Sequence, residues 1–426
     1  MTSISFLLLG LCIFFNLSCA SRVLELSDRF LEIRKDGHWL VMFYAPWCAH
    51  CKRLEPIWAH VAQALYNTNI RVGRIDCTKY TSMSSTFSIS GFPTIMFLKG
   101  DIKEFTFQGD RTKDEIINFA LRLSGPPVQQ ITRQESLDAL KSSDNIFFCY
   151  TGPYEGTLWE FYYDVAERFQ PYSFFYSLSA ELTKKHLKDE KGPSVFVYKE
   201  NNVYFLPDVT ETETEQLNVT LTKWVNTERF GTFVKITRGN IHQFMQTKKY
   251  LVLAVVVENK LEEVPEEMIA FRNMIKSVII NHREKFHRWF QFGWIASPDL
   301  ANSIAMTELP LPYLLVVNST TNHHHFPDDE PHYLTPEVVH MFLDSIVNQT
   351  APSYGGNSLP VKLYRTYFEA RTSLSEMWRG NPVLTAVLFG LPMGFLSLIC
   401  YSICCADILD ADEEEEEGDY SHEKKD

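Results

Sequence analysis

The chain has 426 residues, enough for about two to four domains, and a hydrophobic content of 45% that supports real cores. Net charge is −13, but residues 407–426 hold eleven acids and two lysines and so carry −9 of it, leaving about −4 on an ordinary soluble surface. Nothing in that balance points to nucleic acid. Of nine cysteines, Cys12 and Cys19 lie in a leading apolar segment and Cys400, Cys404 and Cys405 in a trailing one, so the chain is not a disulfide-stapled scaffold.

Residues 1–20 contain the apolar run Phe6 to Phe15, followed by the small residues Ser18-Cys19-Ala20-Ser21. This pattern predicts a secretory signal peptide cleaved near Ala20, although no Lys or Arg precedes the run. The alternative, an uncleaved anchor, has a short apolar core for a span.

Residues 21–128 read as a first domain. Val23 to Leu26 predicts a strand and Ser27 to Arg34 a helix, and the apolar run Leu40 to Tyr44 predicts a buried strand. The Cys-x-x-Cys of Cys48-Ala49-His50-Cys51 then opens a helix over Ala49 to Leu65. A sulfur at a helix N-terminus meets free N–H groups and the positive end of the macrodipole, both of which favour its anion. The Cys48 pKa should therefore fall, and a protonated His50 would add a second stabilising charge. In this redox geometry Cys48 attacks and Cys51 resolves the mixed disulfide. A zinc half-site would need a second ligand pair, and Cys77 and Cys149 are solitary. A purely structural Cys48–Cys51 disulfide would close too short a loop to add much stability. Further on come a strand over Ile70 to Asp76, a short helix over Met83 to Phe87, and Gly91-Phe92-Pro93-Thr94 leading into a strand over Ile95 to Leu98. Phe105 to Gln108 alternates as an antiparallel strand, Asp114 to Leu123 is an amphipathic helix, and Gly125-Pro126-Pro127 ends the unit.

Three motifs in order resemble a catalytic thioredoxin domain of the protein disulfide isomerase family: Phe43-Tyr44-Ala45-Pro46-Trp47-Cys48-Ala49-His50-Cys51-Lys52, Gly91-Phe92-Pro93-Thr94 and Gly109-Asp110-Arg111. The resemblance implies an α/β fold, a mixed sheet flanked by helices. It implies a cis bond before Pro93, facing the cysteines and pairing with substrate backbone. It also implies a loop arginine, Arg111, that helps the resolving cysteine ionise. The chain departs from the family twice. Ala49 replaces the usual glycine, a change a helix tolerates. Met42 replaces the buried acid that shuttles the proton of the resolving cysteine, so Cys51 should deprotonate slowly and mixed disulfides should live longer.

Residues 129–228 repeat the pattern without a Cys-x-x-Cys. Helices are expected over Gln134 to Lys141 and Thr157 to Arg168, and strands over Asn145 to Tyr150, Tyr172 to Tyr176 and Val195 to Tyr198. Pro193 sits where the cis proline would be, and Cys149 reads as a buried, inert thiol. Residues 229–347 echo it again, with strands at Phe233 to Lys235, Tyr250 to Val257 and Tyr313 to Val317. Its helices are expected over Asn240 to Gln246, Val264 to Lys285, Pro298 to Met306 and Pro336 to Val347. In the family, a domain in this position often offers an apolar groove to unfolded chains. His323-His324-His325 reads as a solvated loop and not as a metal site, since no spaced His or Cys completes a ligand set. Asn218, Asn318 and Asn348 each open a glycosylation sequon.

Residues 348–382 form a polar linker with an amphipathic stretch over Val361 to Trp378. Val383 to Ala406 then runs twenty-four residues without a charge, a transmembrane helix that Pro392 and Gly394 are expected to kink. Charge bias would place Arg379 on the cytosolic side, but a cleaved signal sends the N-terminus across first. The acidic tail, 407–426, should be disordered. Its Lys424-Lys425 only partly matches a retrieval signal, so residence in the endoplasmic reticulum rests on the family. Together these features imply three tandem thioredoxin-like domains on one type I span. The chain would exchange thiols and disulfides with unfolded or disulfide-containing secretory and membrane proteins, with no cofactor beyond the cysteine pair. The alternative is a membrane-tethered protein that holds clients with weak turnover, and the acidic tail offers a docking site for a cytosolic partner.

Overall fold

The structure is a computed structural model that describes residues 22–100, 103–143, 145–186, 192–207, 214–259 and 263–419. The expected signal peptide and the Lys424-Lys425 end lie outside the described residues. Three sheets follow one another along the chain. The first contains β1 (Leu24–Leu26), β2 (His38–Tyr44), β3 (Ile70–Asp76), β4 (Thr94–Lys99) and β5 (Lys103–Thr106), in the order β1-β3-β2-β4-β5. β1 and β2 run parallel to β3, while β4 is antiparallel to both β2 and β5. β2 is apolar on both faces because both are covered. Leu40 and Met42 face one core with Leu54 and Trp58 of the helix Ala49–Leu65. Val41 and Phe43 face another with Phe30 and Phe87.

The second sheet repeats this topology as β10-β9-β7-β8-β6, with β6 at Gln129–Ile131, β7 at Phe147–Thr151, β8 at Phe174–Leu178, β9 at Ser194–Lys199 and β10 at Asn202–Phe205. The third does so again and adds a strand, in the order β11-β13-β12-β14-β15-β16. Here β11 is Phe233–Lys235, β12 Tyr250–Val255, β13 Phe290–Ile295, β14 Tyr313–Asn318, β15 His323–His325 and β16 Tyr354–Gly355.

Four expectations change. His323-His324-His325 is not a solvated loop but β15, paired to β14 and β16, with His324 and His325 buried. It occupies the place that β5 has in the first sheet, so the hairpin return of the fold overrides the polar sequence. The third sheet reaches past residue 347 through β16, and the helix Leu359–Gly380 packs on helix Pro298–Ala305, with Ser303 Oγ donating to Glu369 at 3.3 Å. The expected helix Val264–Lys285 breaks at His282 into Glu266–Asn281 and Arg283–Phe286. The helix Pro382–Asp419 carries the acidic run in place of a disordered start to the tail. A helix already nucleated by an apolar span adds one hydrogen bond per further residue, and glutamate is a fair helix former. Within it, Pro382–Ile403 has a mean hydropathy of 2.2 and large apolar side chains that protein leaves uncovered, as a lipid-facing helix requires.

The units meet through buried polar contacts. Arg122, at the end of helix Lys113–Ser124, donates from Nε and Nη2 to the Pro171 carbonyl at 3.1 and 2.8 Å. Between the second and third units, Glu228 bonds Lys199 Nζ at 2.6 Å, Arg283 Nη2 at 3.0 Å and His287 Nε2 at 2.5 Å.

Candidate active site

β2 ends at Tyr44, and the chain turns through Ala45-Pro46-Trp47 so that Cys48 becomes the N-cap of helix Ala49–Leu65. A cap normally lends a side-chain oxygen to the first free N–H groups. Here a sulfur does so: Cys48 Sγ accepts from the Cys51 backbone N–H at 3.2 Å. The Cys48 thiol in turn donates to the Phe92 carbonyl at 3.7 Å. The Phe92–Pro93 bond is cis, as the resemblance implies. Leu311–Pro312 is the other cis bond among the described residues, and the bond before Pro193 is not one of them. Arg111 Nη2 donates to the Pro93 carbonyl at 3.0 Å. Cys48, Cys51, Pro93 and Arg111, separated in sequence, therefore share one site, with both cysteines as thiols.

The two sulfurs are electrostatically unlike. Burial alone would push the Cys48 thiol up. The Cys51 thiol and N–H, the His50 backbone N–H and the Arg111 charge outweigh it and hold Cys48 below the ordinary thiol value. Cys51 is pushed up to about 11, first by burial and then by its hydrogen bond to Cys48. The low-pKa sulfur is thus the outer one, suited to attack, and the inner one waits for a proton acceptor. Met42 is fully buried in the core under the Cys51 helix and offers no such acceptor. The His50 backbone N–H stabilises the thiolate, while its exposed ring takes a hydrogen bond at Nδ1 from Arg53, at 3.1 Å. Beside the sulfurs Trp47 is 73% exposed, its ring edge-on to Phe92 at 6.2 Å.

The other singled-out residues lie apart from this site. Cys149 sits in β7, wholly buried, and burial drives its thiol far up, which makes it inert. Asn218 is on helix Thr214–Glu228, where its Oδ1 accepts from Arg168 and Thr222. Asn318 ends β14 and caps its own turn, and Asn348 is exposed at the end of helix Pro336–Val347. Among the described residues no cluster of three His, Cys, Asp or Glu suits a metal ion. Sequence reasoning named Asp110 within its motif without giving it a part. The structure shows it bonded to Thr237 and Asn240 of the third unit, a contact across 127 and 130 residues that local pattern cannot reveal.

A thioredoxin-like sheet that presents a sulfur-capped helix beside a cis-proline defines a class, the thioredoxin-fold thiol–disulfide oxidoreductases. Residues 24–122 match the thioredoxin family, and residues 153–345 match the thioredoxin-like domain family. The chain is 37% identical over 394 residues to "Protein disulfide-isomerase TMX3" of Xenopus laevis, covering 92% of this chain and 84% of that one. To the Homo sapiens protein of the same name it is 35% identical over 391 residues, covering 91% and 83%. The chain belongs to the protein disulfide isomerase family and is a membrane-anchored thiol–disulfide oxidoreductase.

Proposed function

We propose that Cys48 and Cys51 are the redox pair of a disulfide isomerase facing the lumen of the endoplasmic reticulum, held there by a type I span. The observation that carries this reading is the division of the pair, one sulfur capping a helix and the other buried behind it. In the reductive direction the Cys48 thiolate attacks one sulfur of a client disulfide. A Cys48–client bond forms, the client S–S bond breaks, and one client sulfur leaves as a thiolate. Cys51 then loses its proton and attacks Cys48, forming the Cys48–Cys51 disulfide and releasing the second client thiolate. Run backward, the oxidised pair takes two electrons from a client dithiol. The lumenal poise of about −180 to −210 mV lies near that of a disulfide isomerase, so both directions are open. Pro93 and the exposed Trp47 form the surface a client backbone would meet. A cleft of about 730 Å³ in the third unit, lined by Phe271, Met274, Leu311, Pro312 and Leu334, suits apolar client segments. Clients would be unfolded or disulfide-containing secretory and membrane proteins, and glycans on Asn218, Asn318 and Asn348 would fit the same compartment.

A second reading has its own support. With burial holding Cys51 above the ordinary thiol value and Met42 in place of an acid, resolution would be slow and the chain would hold clients more than turn them over. Insulin reduction by the full chain in detergent micelles tests both readings. Cys48→Ser should abolish reduction, and Cys51→Ser should accumulate client mixed disulfides. Reduction that survives Cys48→Ser sinks the assignment of the pair.

A further inference from the structure

We propose that the third unit positions Arg111 at the sulfurs by binding the acid next to it, Asp110. This inference rests on the assignment of Cys48 and Cys51 above.

Arg111 is useful only while its charge is free and near the pair. The neighbouring Asp110 is the nearest rival in sequence for that charge. Among the described residues no ion pair joins the two. Instead, Asp110 Oδ1 accepts from the Thr237 hydroxyl and Oδ2 accepts from Asn240 Nδ2 at 3.0 Å. Neutral donors thus satisfy both carboxylate oxygens, and charge-assisted bonds of this kind are the stronger sort. The same segment grips the loop a second time, where Gln243 Nε2 donates to the Gln108 carbonyl. Gln243 is itself held by Arg229, whose Nη1 donates to Gln243 Oε1 at 3.0 Å. The approach is close enough to require glycine at 239, since a Cβ there would lie 2.8 Å from Asp110 Oδ1 and 3.0 Å from the Gly109 carbonyl oxygen. With the loop pinned on both sides of Gly109, Arg111 reaches the Pro93 carbonyl and its charge acts on both cysteines. Asp110, Thr237 and Asn240 are positioning residues: none touches the reacting atoms.

The test exploits the chemistry of the contact. Asn240 Oδ1 accepts from the Thr237 N–H at 2.9 Å, a bond that Asn240→Asp keeps while it gives up the 3.1 Å bond from Nδ2 to the Lys235 carbonyl and sets a carboxylate against Asp110. Repelled, Asp110 is released to pair with Arg111. Alkylation of Cys48 by iodoacetamide is followed against pH, with reduced full chain in detergent micelles. Asn240→Asp should move the midpoint up by about half a unit, a roughly threefold loss of thiolate below it. Asp110→Asn removes the carboxylate that competes for Arg111 and should move the midpoint far less than Asn240→Asp. The swap Asp110→Asn/Asn240→Asp restores a donor–acceptor pair and should return the midpoint towards wild type, a rescue that a merely structural role would not produce at a thiol. An Asn240→Asp variant that titrates like wild type, or an Asp110→Asn variant or a swap as displaced as Asn240→Asp, overturns the proposal. If wild-type Cys48 itself shows no midpoint below that of an ordinary thiol, the reading of the redox pair fails first.

Discussion

Met42→Glu tests the kinetic consequence of the buried apolar residue under the Cys51 helix. In a mixed disulfide the Cys48 charge no longer acts on Cys51, but burial, the first cause of its raised pKa, remains and keeps Cys51 less ionised at neutral pH than a free cysteine. Resolution of a Cys48 mixed disulfide waits on that proton. A positioned carboxylate commonly contributes about 10²–10⁴-fold by general base catalysis. Residue 42 lies in the core that the helix Ala49–Leu65 covers, packed with Leu54 one turn beyond Cys51. Met42→Glu should therefore shorten the mixed-disulfide lifetime by at least about tenfold, the low end of that range discounted for imperfect placement. The assay loads the reduced chain with a disulfide-bonded peptide, quenches at intervals with acid, alkylates, and quantifies the adduct on non-reducing gels. Cys51→Ser sets the unresolved limit, and Met42→Gln controls for burial of a polar group. A folded Met42→Glu protein with an unchanged adduct lifetime would refute the reasoning.

The remaining predictions concern the junctions and the rim of the site. Glu228→Gln leaves the buried Lys199 and the neighbouring Arg283 without their acid and should cost about 3–5 kcal/mol, read as a lower urea midpoint for the full chain. Stability should also fall with acid, because His287 is lowered to about 4, by burial first and then by Lys249 and Arg283 against the pull of Glu228. Its Nδ1 accepts from Arg283 and its Nε2–H donates to Glu228, the pattern of a neutral ring. A depressed histidine contributes in full above its unfolded value of 6.5 and loses that contribution as pH falls towards about 4. The depressed Glu228 adds its own loss below its unfolded value of 4.5. The melting temperature should thus decline from pH 7 to pH 5, and a flat profile would count against the neutral ring. Trp47→Ala should raise KM for peptide disulfides and leave Cys48 alkylation unchanged, since the ring is exposed beside the site and accepts no bond from either sulfur.

What was legible in the sequence was local. Leu40 to Tyr44 announced β2 because a strand covered on both faces needs an unbroken apolar run, and Cys48 announced itself because its chemistry depends on the residues directly after it. Arg111 and Pro93 became legible through the resemblance, not through spacing. The misreadings share a cause as well. β15 is three histidines, and only pairing with β14 and β16 makes it a strand. The short strands β6, β10 and β16 carry too few residues for a period to register. Asp110 and Asn240 meet because two units pack together, and no pattern within either unit encodes that meeting.

The three units share one strand order, so their difference in chemistry is not a difference in fold. Each central strand feeds a helix with free N–H groups, and what sits at that N-terminus decides the outcome. In the first unit it is the sulfur of Cys48, one residue from the helix. In the second, helix Thr157–Phe169 begins at Gly156 in the left-handed region, φ 89°, and the unit's described sulfur is sealed inside β7. In the third, helix Glu266–Asn281 begins at Pro265. The second and third units are therefore free to serve the first by contact. Arg122 ties the end of the first unit's last helix to the Pro171 carbonyl, Arg229 holds Gln243, and Gln243 holds the Gln108 carbonyl two residues before Asp110. The cleft at Phe271, Met274, Leu311 and Leu334 shares no lining residue with the Thr237, Asn240 and Gln243 segment that holds the Arg111 loop, so the third unit carries the two on separate surfaces.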